Sequence, residues 1–409
     1  MFTRNGPGSM LDETTYPWVR LVVSVLVSTI GGIGMWSISV VLPVIQADFG
    51  VSRADVSLAY TAVMLGCVFG GPIMGRLSDR CGVAMPVAAG AAMLATGLLL
   101  ASQAGQMWQF NLAHALLIGV GTSASFGPVI ADISLWFARR RGIAVAICSS
   151  GSYLAGTVWP LVLQPLSASI GWRHAYIAIA VFCLASMLPL CLALRRRLPQ
   201  EERAQLPLVQ LSRAGVGSNG RLQLLLMLAG VACCVAMAMP QVHIVAYCVD
   251  LGYGPARGAE MLSLMFGFGI ISRLGFGLTA DRIGPVPTLL VSSSLQAAAL
   301  LAYLGADGLM SLYVVTALFG LVQGGIVPTY ALLVREYYPP GEAGTRVGLV
   351  LSSTLAGMAI GGWMSGAIFD ATLSYRAAFL NGFAWNLLNI TIGLWLLFRL
   401  PQRRVARFA

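Results

Sequence analysis

The chain has 409 residues, of which 57% are hydrophobic and only 10% charged, against about 25% charged in a soluble domain. That balance excludes a soluble globular enzyme and a disordered chain. The net charge is +10, and all 25 basic residues are arginine, so its meaning depends on where the arginines fall.

The apolar residues gather into twelve blocks of about 20 residues or more, long enough to cross a bilayer. None shows strand-like alternation, so helices are expected. The N-terminus is short and polar up to Trp18. It lacks the basic start and small-residue cleavage site of a signal peptide, and the first block is expected to stay as a span. In chain order the spans are 17–44, 57–76, 83–102, 108–137, 142–168, 174–195, 221–248, 258–280, 285–304, 309–335, 345–370 and 376–399. The longest polar stretch, 195–220, separates spans 6 and 7 and reads as a linker. The expected architecture is all-α and integral to the membrane. Residues 1–194 form an N-terminal six-helix bundle, 195–220 a cytoplasmic linker, and 221–409 a C-terminal six-helix bundle.

With both termini placed in the cytoplasm, the inside segments hold 20 arginines. The outside loops hold four: Arg53, Arg173, Arg257 and Arg376. The remaining one, Arg273, lies within span 8. This asymmetry follows the positive-inside rule. It predicts a multi-pass protein of the cytoplasmic (inner) membrane and explains the basic charge without nucleic acid. Seven of the eight cysteines lie inside the blocks and read as small apolar fillers. There is no metal-ligand spacing, no nucleophile–base pair and no phosphate-binding loop. No metal, no cofactor and no enzymatic or ATP-driven activity is expected.

The two halves repeat. Span 2 ends in Gly75-Arg76-Leu77-Ser78-Asp79-Arg80-Cys81-Gly82, and span 8 in Gly277-Leu278-Thr279-Ala280-Asp281-Arg282-Ile283-Gly284, 202 residues later. Pro128 of span 4 and Pro328 of span 10 are 200 apart, and Arg173 and Arg376, before spans 6 and 12, are 203 apart. Matched landmarks in two halves mark a repeat-built transporter.

The motif between spans 2 and 3 resembles the signature of the major facilitator superfamily, Gly-x-Leu-x-Asp-Arg-x-Gly. Val83, Ala84 and Met85 stand where further basic residues are usual. The segment Trp136-Phe137-Ala138-Arg139-Arg140-Arg141, followed by small residues to Gly151-Ser152, resembles the monocarboxylate transporter signature. It departs at Ala146 and Ser150. Asp370 followed by Ser374-Tyr375 is similar to the end of span 11 in the bacterial monocarboxylate and oxalate/formate exchanger group. The resemblance implies twelve helices in two pseudo-symmetric bundles and transport of a small organic anion.

Arg273 is the sharpest candidate. A mid-span arginine costs about 2.5–3.5 kcal/mol on insertion scales. It lies eight residues before Asp281, roughly 12 Å from the span's end at 1.5 Å per residue, and its repeat counterpart is Gly71. A guanidinium facing a central cavity binds a carboxylate in fork geometry; the alternative is a gate ion pair or bonds to backbone carbonyls. The resemblance supports the first, since monocarboxylate transporters use a span-8 arginine. They often carry an acidic residue one turn earlier, where this chain has Gly269.

Tyr153, Tyr330, Gln323 and Trp363 are further candidates to line the substrate site. His114 and His243 are the intramembrane histidines and candidates for proton coupling, set against the commoner buried, hydrogen-bonded role. Asp79, Arg80 and Asp132, with Asp281, Arg282 and Glu336 in the second half, are expected to form cytoplasmic latches that break when the inner gate opens.

The leading reading is a secondary transporter of a monocarboxylate-like anion, working by symport or antiport with a proton or counter-anion. It is expected to be a monomer in contact with membrane lipid. The alternative is a proton-driven exporter of drugs or metabolites. A transporter-like sensor is the third reading, and both short tails speak against it.

Overall fold

The computed structural model describes residues 9–137, 141–196, 220–338 and 340–399. Arg139 and Arg140 and nearly all of the expected linker lie outside the described residues. No strand occurs among the described residues. Twelve helices are long and apolar enough to cross a membrane: Tyr16–Phe49, Arg53–Cys81, Ala84–Ser102, Met107–Trp136, Ile143–Ile170 and Trp172–Ala193 (spans 1 to 6), then Gly220–Asp250, Gly254–Ile283, Pro285–Tyr303, Leu309–Tyr337, Thr345–Thr372 and Tyr375–Arg399 (spans 7 to 12).

Spans 1 and 2 run past their apolar blocks. Gly50 closes span 1 in the left-handed region (φ 62°), and Ser52 caps span 2 by accepting from the Asp55 N–H. Arg53 therefore belongs to the first turn of span 2 and not to a loop. One face of the molecule carries Arg20, Arg76, Arg282 and Arg399 at helix ends and is called the arginine-rich face below.

With lipid as apolar as any side chain, helices associate through close packing of small residues and polar bonds. Spans 7 and 11 meet at Gly357 and Gly361, where an added Cβ would come within 2.5 Å of the Val231 and Val235 carbonyls. The opposite side of span 11 meets span 2 through Gly362 against Tyr60 and Gly366 against Arg53.

Arg20 ties the arginine-rich end of spans 1, 4 and 6. It is 1% exposed and grips Asp132 in fork geometry, Nε–Oδ2 2.6 Å and Nη2–Oδ1 2.9 Å. It also donates to the Leu194 and Arg196 carbonyls and to the Tyr16 hydroxyl, and lies 4.7 Å over the Trp136 ring. Asp132, expected to join Asp79 and Arg80 in a latch, is paired with Arg20 in this structure. Its carboxylate is committed to Arg20, whose buried charge needs a counter-ion more than an exposed arginine does.

Four spans are interrupted. Span 1 breaks at Gly32, span 4 at 124–126, span 5 at Ser150 and span 10 at Gly324-Gly325. Span 4 also opens into a π-helix over His114–Gly119. Interruptions free backbone groups inside the membrane, and those groups need partners.

Asp132→Asn leaves the Arg20 charge buried without its counter-ion. We expect a loss of about 3 kcal/mol, read as a lower midpoint of chemical unfolding. Arg20→Met with Asp132→Leu should recover most of it.

Candidate site around Arg273

Span 8 approaches span 10 closely because both are small at the contact. A Cβ on Gly324 would collide with the Gly269 carbonyl, and one on Gly320 with the Met265 carbonyl. The Ser272 hydroxyl lies between the two helices and accepts from the Gly324 N–H at 3.1 Å. This seam fixes the backbone from which Arg273 projects.

The guanidinium reaches two carbonyls at helix breaks. Nη1 donates to Ser149 O of span 5 at 2.8 Å, and Nε points to Gly324 O of span 10 at 3.5 Å. Ser149 is the last residue of the segment Arg141–Ser149, and the helix resumes at Gly151. Gly324 lies four residues before Pro328, which has no N–H to give it. Helix C-terminal carbonyls carry partial negative charge, so two of them favour a cation. The Tyr153 ring completes the setting, with the guanidinium carbon 4.4 Å from its centroid. Arg273 is half-buried and enters none of the described ion pairs, and the Tyr153 side chain is a further hydrogen-bonding neighbour of its guanidinium.

Tyr153 packs edge-on against Phe266, 5.6 Å between centroids, and its ring occupies the space beside Gly269. An acidic side chain at 269 would strike that ring. Gln323 is fully buried and accepts from Gln241 Nε2 of span 7 at 2.6 Å, while its own Nε2 has no partner among the described residues.

Tyr330 and Trp363 lie in different settings. Tyr330 is 0% exposed, its hydroxyl donates to Asn389 Oδ1 at 2.6 Å and lies 3.0 Å from the Ala229 carbonyl. It joins spans 7, 10 and 12 in a polar knot and presents no free donor to a ligand. Trp363 is 42% exposed. At 100° per residue it lies on the side of span 11 turned away from Gly357 and Gly361, which meet span 7, and within about 60° of Gly366, which meets span 2.

The histidines differ in setting. His114 is buried at the head of the π-helix, with Nδ1 donating to Phe110 O at 2.8 Å and Nε2 without a partner among the described residues. Its ring lies 4.1 Å from Phe110. His243 belongs to a chain of bonds at the face opposite the arginine-rich one. Nε2 donates to Gly362 O at 2.8 Å, and Nδ1 accepts from the Tyr375 hydroxyl at 3.1 Å. Arg53 Nη1 in turn donates to Tyr375 at 2.7 Å.

Arg53 is the residue that sequence reasoning missed. It pairs with Asp250 of span 7 at 3.1 and 3.2 Å and lies 4.6 Å over the Phe369 ring. The backbone N–H groups of Arg53 and Ala54 both donate to Asp370 of span 11, at 2.9 and 2.7 Å. The signal in the sequence was three polar residues, Asp250, Asp370 and Tyr375, at span ends of the same face as Arg53. By contrast, Asp79, Arg80, Asp281 and Arg282 are exposed and enter no ion pair among the described residues, and Glu336 is half-buried.

Contacts joining spans 1–6 to spans 7–12 run from Arg53–Asp250 and Asp370, through Thr61–Ala359 and Trp36–Phe266, to Ser149–Arg273. Among the described hydrogen bonds, ion pairs and ring contacts, none crosses between Arg273 and the arginine-rich face. No group of three or more His, Cys, Asp or Glu with metal-binding placement occurs among the described residues.

The sequence family described as Major Facilitator Superfamily matches residues 25–350 and, in a second overlapping match, 261–407. Monocarboxylate transporter 13 of Bos taurus is 29% identical over 318 residues, 76% of this chain and 73% of that protein. The agnestins efflux protein AgnL12 of Paecilomyces divaricatus is 27% identical over 292 residues, 71% of this chain and 65% of that protein. The inward-open xylose transporter XylE from E. coli has the same fold, with TM-score 0.73 and 14% identity over 95% of this chain and 97% of that one.

Removing the Arg53 guanidinium should open the latched face. With the native cysteines replaced and Ser57, now fully buried, changed to Cys, maleimide should react severalfold faster in Arg53→Gln than in its absence. Equal labelling rates would show that the ion pair does not hold that face closed.

Proposed function

The chain belongs to the major facilitator superfamily, and we propose that it carries a small organic monoanion by alternating access between residues 1–194 and 221–409. Membership makes it a membrane transporter and not an enzyme. The observation that carries the substrate class is Arg273: a half-buried guanidinium at mid-span, held by neutral carbonyls and a ring, with no carboxylate partner among the described residues. One carboxylate fits the guanidinium and the Tyr153 wall, and a single cation suits one charge better than two. Gln323 Nε2, beside the Gly324 contact, is the second donor.

The arginine-rich face is assigned to the cytoplasm by the positive-inside rule. The conformation then has its outer face closed by Arg53, Asp250, Asp370 and Tyr375. Asp79, Arg80, Asp281 and Arg282 serve as the inner latch of the opposite state, which agrees with their entering no ion pair among the described residues in this one.

Coupling runs by anion exchange or by a proton that moves with the anion. His243 is the proton candidate, because a proton on Nδ1 would remove the acceptor of the Tyr375 hydroxyl and disturb the bond chain to Arg53. Metabolite efflux is the second reading, favoured by the similarity to the agnestins efflux protein.

Losing the Arg273 bond to a carboxylate should weaken binding by roughly 10- to 150-fold, for a charge-assisted bond of about 1.5–3 kcal/mol. Arg273→Lys keeps the charge without the fork and should fall between wild type and Arg273→Ala. Carboxylate affinity of the three proteins, each checked for folding by melting temperature, tests the site. Wild-type affinity in a well-folded Arg273→Ala protein would make the residue structural and remove the anion reading.

For coupling, carboxylate uptake into empty vesicles under an inward proton gradient is the measurement. Strong gradient-driven uptake would exclude obligatory exchange. If His243→Gln retained that drive in full, His243 would not be the carrier.

A further inference from the structure

Span 8 has a second lined surface. A groove of about 340 Å³ runs between spans 5 and 8. Its span-8 wall is Glu260, Ser263, Leu264, Gly267, Phe268 and Ile271. These residues recur every three or four positions, so they form one stripe. Thr157 and Leu161 supply the span-5 wall. From 260 to 271 the stripe is roughly 16 Å long at 1.5 Å per residue. That is about half of a hydrocarbon core of roughly 30 Å, the depth of one leaflet.

The chemistry changes along the groove as it does along a phospholipid. Near the span's start, Arg257 and Glu260 form an ion pair at 2.9 Å with side chains 52% and 41% exposed. Tyr313 of span 10 donates to the Glu260 carboxylate and fixes it. About one turn deeper is Ser263, which is 4% exposed. Its Oγ is buried and has no hydrogen-bond partner among the described residues. Beyond it the lining is apolar, and Gly267 keeps the floor low: a Cβ there would approach Thr157 only to 3.8 Å.

We propose that this groove binds one acyl chain of a phospholipid whose headgroup carries a phosphate and a primary ammonium, as phosphatidylethanolamine does. The guanidinium of Arg257 meets the phosphate, and the Glu260 carboxylate accepts from the ammonium. The Ser263 hydroxyl donates to the ester carbonyl at the depth where that group lies, and the chain follows the stripe to Ile271. An anionic glycerol headgroup offers Glu260 no cation, and a choline headgroup offers it no N–H. The walls belong to spans 5 and 8, which also carry the Ser149–Arg273 bond between the two sets of six spans. A chain seated there therefore stabilises the arrangement seen. The site does not depend on the identity of the transported substrate.

The experiment uses the full-length protein in detergent, titrated with dioleoyl-phosphatidylethanolamine, -phosphatidylcholine and -phosphatidylglycerol. Binding is read by native mass spectrometry and melting temperature. Wild type should bind the ethanolamine lipid about fivefold tighter than either other lipid, the upper end for one exposed charge pair. Glu260→Gln should abolish that preference. Gly267→Leu, which fills the groove, should abolish the bound lipid and its stabilisation. Equal binding of the three headgroups by wild type would overturn the proposal, as would a preference that survives in Glu260→Gln. Displacement of the ethanolamine lipid by saturating L-lactate would place the groove on the substrate path and also overturn it, whereas loss of carboxylate binding in Arg273→Ala would leave it intact.

Discussion

A positive charge inside the membrane is expensive, and the structure turns on how Arg273 is accommodated. A mid-span arginine costs about 2.5–3.5 kcal/mol on insertion scales. A charge-assisted bond to Ser149 O contributes about 1.5–3 kcal/mol, and the Tyr153 face about 0.5–2 kcal/mol. These terms cover the cost without a carboxylate. Their source is the interruption of two helices: the break at Ser150 leaves the Ser149 carbonyl to Arg273 and the Ser152 hydroxyl, and Pro328 leaves the Gly324 carbonyl without its helical donor. The breaks and the charge therefore support one another.

The same bond joins the two sets of spans at Arg273. From there to Arg53 the chain is stitched by side chains; from there to the arginine-rich face the described contacts do not cross. The two ends use charge differently. Arg53 is buried, stacked on Phe369 and shared by Asp250 and Tyr375, a setting in which a pair is costly to break. Asp79, Arg80, Asp281 and Arg282 lie in water, where an ion pair is worth little and forms or parts readily. Arg20–Asp132, at the same end but buried, holds spans 1, 4 and 6 together through any such change.

The fold was legible because bilayer physics acts on composition: block length, helix-only spanning and arginine asymmetry gave all twelve spans, with ends within about five residues. The ends slipped where polar residues continue a helix, as from Gln46 to Phe49 and from Arg53 to Val56. Arg273 was legible because a lone charge in an apolar block has few explanations. Its carbonyl partners were not, although Pro328 standing four residues after Gly324 was a readable sign. The partner of Asp132 and the burial of Tyr330 depend on which helices meet. A repeat offset aligns the two halves with each other but does not say which residue faces which.

Tyr153 and Gly269 occupy one volume between them. An acidic residue at 269, common in the transporters this chain resembles, would need a smaller residue at 153. A smaller residue at 153 alone would strip Arg273 of its ring and leave a hollow beside it. Each single exchange is therefore worse than either end point, and the two positions are bound to change together. An arginine–carboxylate pair at this site therefore requires both exchanges at once.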